Sequence, residues 1–126
     1  MEKKVILTKD APAPIGPYSQ AIVAGGFLFI SGQIALDPAS GALVTDSIES
    51  EAMQVMNNLK AVLLEAGYDF SNVVKSTIFL SDMGLFAAVN EIYGSFFDSD
   101  FPARETVAVK TLPRSVNVEI SMIAFK

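Results

Sequence analysis

Apolar residues between positions 48 and 66 recur at the spacing of one face of an α-helix, and this pattern limits the possible folds most strongly. It predicts a long amphipathic helix whose single apolar stripe must pack against another layer of the protein. Asp46 followed by Glu49 is typical of a variant capping box at the helix start, and Gly67 is suited to the C-cap. The stripe consists of Ile48, Ala52, Val55, Met56, Leu59, Val62, Leu63 and Ala66.

A second amphipathic helix is predicted to begin near Ser81 or Asp82. Two helices with one apolar stripe each can cover only one face of a β-sheet. The other face then needs a different cover, for which a neighbouring subunit is the simplest candidate. The residues that the second helix is expected to bury are Leu85, Phe86, Val89, Tyr93 and Phe96.

Six further stretches predict β-strands, which gives the element order βββαβαββ within a single domain of residues 1–126. Gly25-Gly26 suits a two-residue hairpin turn, because both glycines tolerate positive φ. Residues 27–30 read Phe-Leu-Phe-Ile, which is apolar on both faces of a strand and indicates cover on both sides. The predicted strands are residues 5–7, 19–24, 27–33, 73–80, 106–110 and 116–124.

The composition supports an oligomer and narrows the possible chemistry. Hydrophobic residues make up 51% of the chain and charged residues only 18%, against about 25% charged residues in an average soluble domain. Part of the surface is therefore expected to be covered by another copy of the chain. The absence of cysteine and histidine excludes disulfides, thiolate metal sites, a cysteine nucleophile and a Ser-His-Asp triad.

Charge and hydropathy argue against nucleic acid and membrane partners. The formal net charge is −5, which makes the electrostatic term of binding to a phosphate backbone repulsive. Residues 11–36 carry no charge, but three prolines and a glycine pair interrupt them, so they do not predict a membrane span. The first ten residues do not resemble a signal peptide, and we expect the protein to be cytoplasmic.

Arg104, at the entrance of the fifth predicted strand, and Glu119, on the sixth, are candidate functional residues with opposite charges. One interpretation is a structural cross-strand ion pair, worth about 0.2–1 kcal/mol. The other is that Arg104 binds an anionic ligand through its guanidinium fork, while Glu119 holds a water or exchanges a proton. Ile123 and Phe125 share the strand face of Glu119, and a face that begins polar and ends apolar indicates a pocket beside an interface.

Four other positions have both a structural and a functional interpretation. Tyr18 follows a stiff Pro-rich loop and either caps the core or faces a ligand. Ser31-Gly32 near a strand end indicates either a β-bulge or a close approach of a ligand to the backbone. Asn90 lies among apolar residues of the second helix, on a face that the pattern does not decide.

Several segments together resemble the Rid (YjgF) family, the reactive intermediate deaminases, and the RidA-like subfamily in particular. Pro-Ala-Arg followed by Glu119 between two aliphatic residues is the most specific part of the resemblance, which extends over nearly the whole chain. The segments are IGPYSQA (15–21), FISGQI (29–34), VNEIYGSFF (89–97), FPARETVAV (101–109) and LPRSVNVEISMIA (112–124).

The resemblance implies an α+β fold of the chorismate-mutase type, with a mixed sheet and two helices on one face. It also implies a homotrimer whose sheets form a central barrel, with the sites in clefts between subunits. No cofactor and no metal are expected.

The activity implied by the resemblance is the hydrolysis of 2-imino acids and their 2-enamino tautomers, such as 2-aminoacrylate and 2-iminobutanoate. The products are 2-keto acids and ammonia, and the reaction protects pyridoxal-phosphate enzymes. By the same resemblance, Arg104 binds the substrate carboxylate and Glu119 orients the attacking water. Tyr18, Ser31, Gly32, Asn90 and Thr106 line the cleft, although many relatives carry cysteine at the position of Thr106. The alternative is a regulator that binds 2-keto acids or other small carboxylates without turnover.

Overall fold

A computed structural model describes residues 2–126, which form six strands, two α-helices and three short 3₁₀ turns. The predicted order βββαβαββ is confirmed. The elements are β1 Lys3–Ile6, β2 Ala21–Ala24, β3 Phe27–Gln33, α1 Ile48–Glu65, β4 Val73–Leu80, α2 Phe86–Gly94, β5 Ala103–Ala108 and β6 Val118–Phe125.

The six strands form one mixed sheet in the order β1-β2-β3-β6-β4-β5. All neighbouring pairs are antiparallel except β4 and β5, which are parallel because α2 connects them as a crossover. β4 therefore separates β5 from β6. The interpretation of Arg104 and Glu119 as a cross-strand pair on adjacent strands is wrong, because β5 lies at the sheet edge and its one neighbour in the described sheet is β4, not β6.

Both helices pack on one face of the sheet, as predicted, and β6 shows how the two faces differ. Its alternate residues Val118, Ile120, Met122 and Ala124 are buried beneath the helices. The opposite face carries Glu119 and a cluster of aromatic side chains that the single chain leaves open. Phe27, Phe29 and Phe125 in this cluster are 41%, 46% and 48% exposed.

The turns that bound these elements confirm some predictions and correct others. Gly25 and Gly26 have φ of 58° and 86°, as a two-residue hairpin turn of this kind requires. The N-cap of α1 is Ser47 and not Asp46, because Ser47 has an extended backbone and its Oγ accepts from the N–H of Ser50. The C-cap is Ala66, and Gly67 follows it with φ of 82°.

Strand and helix ends shift by a few residues from the predicted ones. β5 begins at Ala103 and not at residue 106, because pairing with β4 already starts at Lys75 and brings Arg104 into the sheet. β6 begins at Val118, since a 3₁₀ turn, Pro113–Ser115, precedes it. α2 begins at Phe86, after a 3₁₀ turn that the Asp82 side chain caps. β1 and β2 are likewise displaced by two residues at their starts.

Neither helix of the described chain combines the length and the apolar character needed to cross a membrane.

Candidate functional site

Arg104 is held on the helix side of the sheet by three side chains of α2. Its Nη1 donates to Asn90 Oδ1 at 2.7 Å. Its Cζ lies 5.1 Å from the ring centroid of Tyr93 and 5.5 Å from that of Phe86. Both distances are within the range of cation–π attraction. The guanidinium is therefore oriented before any ligand arrives.

Tyr93 is itself fixed by the sheet. Its hydroxyl donates to the buried Ser76 Oγ at 2.9 Å, and Ser76 is the neighbour of Arg104 across the β4–β5 pair. Burial raises the pKa of the Tyr93 hydroxyl, so the ring stays neutral beside the guanidinium. The sheet thus fixes the ring, and the ring helps to fix the arginine.

The guanidinium faces an open pocket and keeps most of its hydrogen-bonding capacity. Within residues 2–126, Asn90 is its one hydrogen-bond acceptor, whereas an arginine carries five donors. Phe101 and Pro102 line the same pocket. The remaining donors can form a bidentate pair with a carboxylate. We call Arg104, Asn90 and Thr106 the arginine half-site.

Thr106 belongs to the arginine half-site by its place on β5. It lies two residues after Arg104 and so points to the same face of the strand. Its Oγ1 is buried and has no hydrogen-bond partner among the described residues. A buried hydroxyl without a partner is uncommon, and the role of Thr106 toward a ligand stays a prediction.

Glu119 lies in a second pocket, lined also by Tyr18, Gly32, Arg114 and Ile15. Its carboxylate lies directly against the backbone of Gly32. A Cβ at position 32 would overlap the carboxylate oxygen and lie 2.8 Å from Glu119 Cδ. Gly32 falls within the register shift between Ile30 and Gln33, where the predicted β-bulge is present. The group against its backbone is the Glu119 side chain of the same chain, and the close approach of a ligand stays a prediction.

Burial raises the pKa of the Glu119 carboxyl, because the pocket removes part of its hydration. A carboxylate with a raised pKa is a better proton acceptor near neutral pH than one at the ordinary value. Glu119 can therefore hold a water by a hydrogen bond and take a proton from it.

Tyr18 and Ser31 differ in what they offer this pocket. Tyr18 is 52% exposed and does not cap the core. The Ser31 hydroxyl donates to the carbonyl of Ser19 at 2.6 Å, so it fastens the chain next to Tyr18. The buried Gln20 adds to this by donating to the carbonyls of Thr8, Ala11 and Pro12. We call Glu119, Gly32, Tyr18 and Ser31 the glutamate half-site.

The two half-sites do not meet within one chain. Arg104 is on the face of the sheet that α2 covers, whereas Glu119 lies on the open face, opposite Phe79 of β4. The strand β4 also separates β5 from β6. One copy of the chain therefore cannot bring Arg104 and Glu119 to the same small ligand.

Sequence reasoning missed several residues of these half-sites. Phe86 and Tyr93 were expected only in the core, yet both rings contact Arg104. Tyr93 follows Asn90 by three positions on the same helix face, which is a signal that could have found it. Arg114 in the pocket of Glu119 carried no recognisable pattern.

The part of the chain that the structure describes contains no group of three or more acidic side chains placed to hold a metal ion.

The chain is similar to known proteins in sequence and in structure over nearly its whole length. The family described as Endoribonuclease L-PSP matches residues 8–126. A RutC family protein of Pyrococcus horikoshii is 51% identical over 98% of both chains. A mouse protein named 2-iminobutanoate/2-iminopropanoate deaminase is 51% identical over 97% of this chain and 90% of its own. The crystal structure of a putative endoribonuclease from Thermotoga maritima, 47% identical, superposes with a TM-score of 0.97 over 100% of this chain and 98% of its own.

Proposed function

The chain belongs to the Rid (YjgF) family, whose α+β fold it has, and on that premise we propose that it is a 2-iminobutanoate/2-iminopropanoate deaminase. Its substrates are reactive 2-imino acids and their 2-enamino tautomers, and its products are 2-keto acids and ammonia. The observation that carries the proposal is the Arg104 guanidinium, which Asn90, Tyr93 and Phe86 orient toward an open pocket.

Arg104 binds the substrate carboxylate in a bidentate pair, which places the adjacent imine carbon. Glu119 accepts a hydrogen bond from a water and draws off a proton as the water adds to the C=N bond. The resulting carbinolamine loses ammonia and leaves the ketone. A protonated imine is already strongly electrophilic, so orientation of the substrate and a placed water supply much of the catalysis.

The working unit in this proposal is a cytoplasmic homotrimer, in which the arginine half-site of one subunit faces the glutamate half-site of the next. The separation of Arg104 and Glu119 on opposite sheet faces supports it, because a small substrate then needs both subunits. The open sheet face with its exposed phenylalanines also supports it. Phe101 and Ile15, beside the two half-sites, are 63% and 88% exposed and are suited to burial at the same boundary.

The alternative is a regulator that binds 2-keto acids or other small carboxylates without turnover. The arginine half-site would serve such a protein equally well, since a 2-keto acid presents the same carboxylate. Two observations favour the enzyme. Relatives at about 50% identity are named as deaminases, and Glu119 lies in a pocket that raises the pKa of its carboxyl, whereas a sensor needs no proton acceptor there.

A coupled assay tests the proposal. A pyridoxal-phosphate-dependent threonine or serine dehydratase generates the imine, and semicarbazide traps what remains. Wild-type protein is expected to suppress semicarbazone formation. Arg104→Ala is expected to lower kcat/KM by about 30-fold or more, because a desolvated charge pair contributes about 2–5 kcal/mol.

Lys60→Ala is the matched control, since it removes an exposed cation from α1 that lines neither the pocket of Arg104 nor that of Glu119. It is expected to retain full activity. Unchanged kcat/KM in Arg104→Ala would refute the role of Arg104. A wild-type protein that leaves semicarbazone formation unaltered, yet binds 2-keto acids in a titration, would replace the enzyme by the regulator.

A further inference from the structure

Glu51 is a carboxylate buried on α1, a helix that contributes to neither half-site. Its side chain is 0% exposed. Glu51 Oε2 accepts from the N–H groups of Asn117 and Val118 at 2.7 and 3.1 Å, and Oε1 accepts from Asn117 Nδ2 at 2.9 Å. Burial of a carboxylate is costly, and here only neutral donors compensate for it. These bonds link α1 to the residues just before Glu119.

Asn117 carries the same linkage on to β4. The Ser81 N–H donates to the carbonyl of Asn117 and the Ser81 hydroxyl donates to Asn117 Oδ1, both at 3.0 Å. The first residues of β6 are therefore tied to a helix on one side and to the end of β4 on the other. The hydrogen bonds fix where the strand begins.

The backbone immediately before this linkage is strained. Arg114 and Ser115 have φ of 55° and 56°, in the left-handed region that non-glycine residues seldom adopt. Such strain persists only where the surrounding structure holds the chain in place. The hydrogen bonds of Glu51 begin at Asn117, two residues after Ser115, and are placed to hold this segment.

Glu119 comes directly after Val118 and lies in a narrow slot against Gly32. A displacement of the start of β6 would move the carboxylate out of this slot or against the glycine. We propose that Glu51 is a positioning residue, which sets the place of the Glu119 carboxylate through the main chain of Asn117 and Val118. The catalytic consequence rests on the proposed function, in which Glu119 places the attacking water.

Two substitutions separate the acceptor role of Glu51 from its volume. Glu51→Met keeps a side chain of similar length but offers no strong acceptor, whereas Glu51→Gln keeps an acceptor for the backbone N–H groups. We expect Glu51→Met to lower kcat by about 10- to 100-fold, as displacement of a catalytic group by about 1 Å does. Glu51→Gln is expected to restore kcat to within about threefold, since about one neutral hydrogen bond changes.

Val62→Ala is the control for a general loss of stability. Val62 is fully buried on the same helix, but its hydrocarbon side chain makes no hydrogen bond to Asn117 or Val118, and its truncation destabilises the core. It is expected to lower Tm while leaving kcat unaltered at 25 °C. A loss of kcat in Val62→Ala equal to that in Glu51→Met, or full kcat in Glu51→Met, would overturn the proposal.

A readout without turnover keeps this test independent of the proposed activity. The Glu119 carboxyl is titrated by NMR in protein labelled with ¹³C at glutamate and assigned with Glu119→Gln. In Glu51→Met its pKa is expected to fall toward the ordinary value, because the carboxyl leaves the desolvated slot, while Glu51→Gln retains the wild-type pKa. An unchanged pKa in Glu51→Met refutes the positioning role, even if the wild-type protein hydrolyses no imine.

Asn117→Ala serves if Glu51→Met does not fold. It removes the side chain that bonds to both Glu51 and Ser81, but it leaves in place the two backbone N–H groups that donate to Glu51. The expected loss in kcat is about fivefold or more, in line with two lost side-chain hydrogen bonds at about 0.5–1.5 kcal/mol each, with the Glu119 pKa lowered in the same direction as in Glu51→Met. A wild-type kcat and pKa in Asn117→Ala would count against the proposal.

Discussion

Gly32→Ala is a minimal change at the glutamate half-site, and its effect follows from distances. The new methyl carbon would lie 2.8 Å from Glu119 Cδ and 3.1 Å from Cγ, besides overlapping a carboxylate oxygen. Carbon atoms pack favourably at about 3.5–4.0 Å, so the carboxylate must move by about 1 Å. The backbone itself accepts alanine, because Gly32 is not among the residues with positive φ.

A shift of this size at a catalytic group costs up to about 100-fold in rate. We therefore expect Gly32→Ala to lower kcat for imine hydrolysis by about 10- to 100-fold, which corresponds to about 1.4–2.7 kcal/mol. The affinity for a 2-keto acid should change much less, since Arg104 on the other half-site binds its carboxylate. The assay is dehydratase-coupled kinetics, with a keto acid titration in parallel.

Gly16→Ala is the control for this substitution. A Cβ at Gly16 would meet only the Tyr18 ring, at 3.7 Å, an ordinary van der Waals distance. Its kcat is expected to match that of the wild type. A fully active Gly32→Ala, or one that loses only affinity, would refute the role given to the Glu119 carboxylate.

Two further predictions concern Tyr93 and the titration of Glu119. Tyr93→Phe should lower the free energy of unfolding by about 1 kcal/mol, because the hydrogen bond to Ser76 is lost. It should keep kcat/KM within about threefold, since the ring still stacks on Arg104. Denaturant unfolding and steady-state kinetics check this, and a large loss of kcat/KM would assign the hydroxyl a direct role. A carboxyl whose pKa is raised on folding stabilises the protein below the ordinary pKa, and this contribution is lost as pH rises through the raised value. Glu119→Gln should therefore gain stability relative to the wild type as pH rises from the ordinary pKa through the raised one. It should also lose the acid limb of the pH profile of kcat. Stability curves that run parallel for the two proteins over this pH range would contradict the raised pKa.

The sequence predicted those features of the fold that depend on local pattern. The stripe of α1 and the alternation along β6 are local periodicities, and both are present. The place of β6 between β3 and β4 depends on pairing between distant segments, so the chain alone did not exclude an Arg104–Glu119 ion pair. The N-cap was misplaced by one residue, because Asp46 and Ser47 both have a suitable oxygen and backbone geometry decides between them.

The candidate site was predictable in its residue types but not in its arrangement. The roles of Tyr18, Ser31, Asn90 and Thr106 toward a ligand remain predictions, as does the homotrimer. The aromatic support of Arg104 was missed because Phe86 and Tyr93 fit the core pattern of α2 equally well. Glu51 was missed because its donors lie 66 and 67 residues away in sequence.

Mixing of two inactive variants tests the central claim most directly, namely that Arg104 and Glu119 from different subunits form one site. Arg104→Ala and Glu119→Gln are unfolded together in equal amounts and refolded, with each refolded alone as the control. If the half-sites join across subunits, about a quarter of the boundaries in a random trimer combine a native Arg104 with a native Glu119. The account predicts recovery of imine hydrolysis to about that fraction of the wild-type rate. Mixed oligomers that remain as inactive as each variant alone would contradict it.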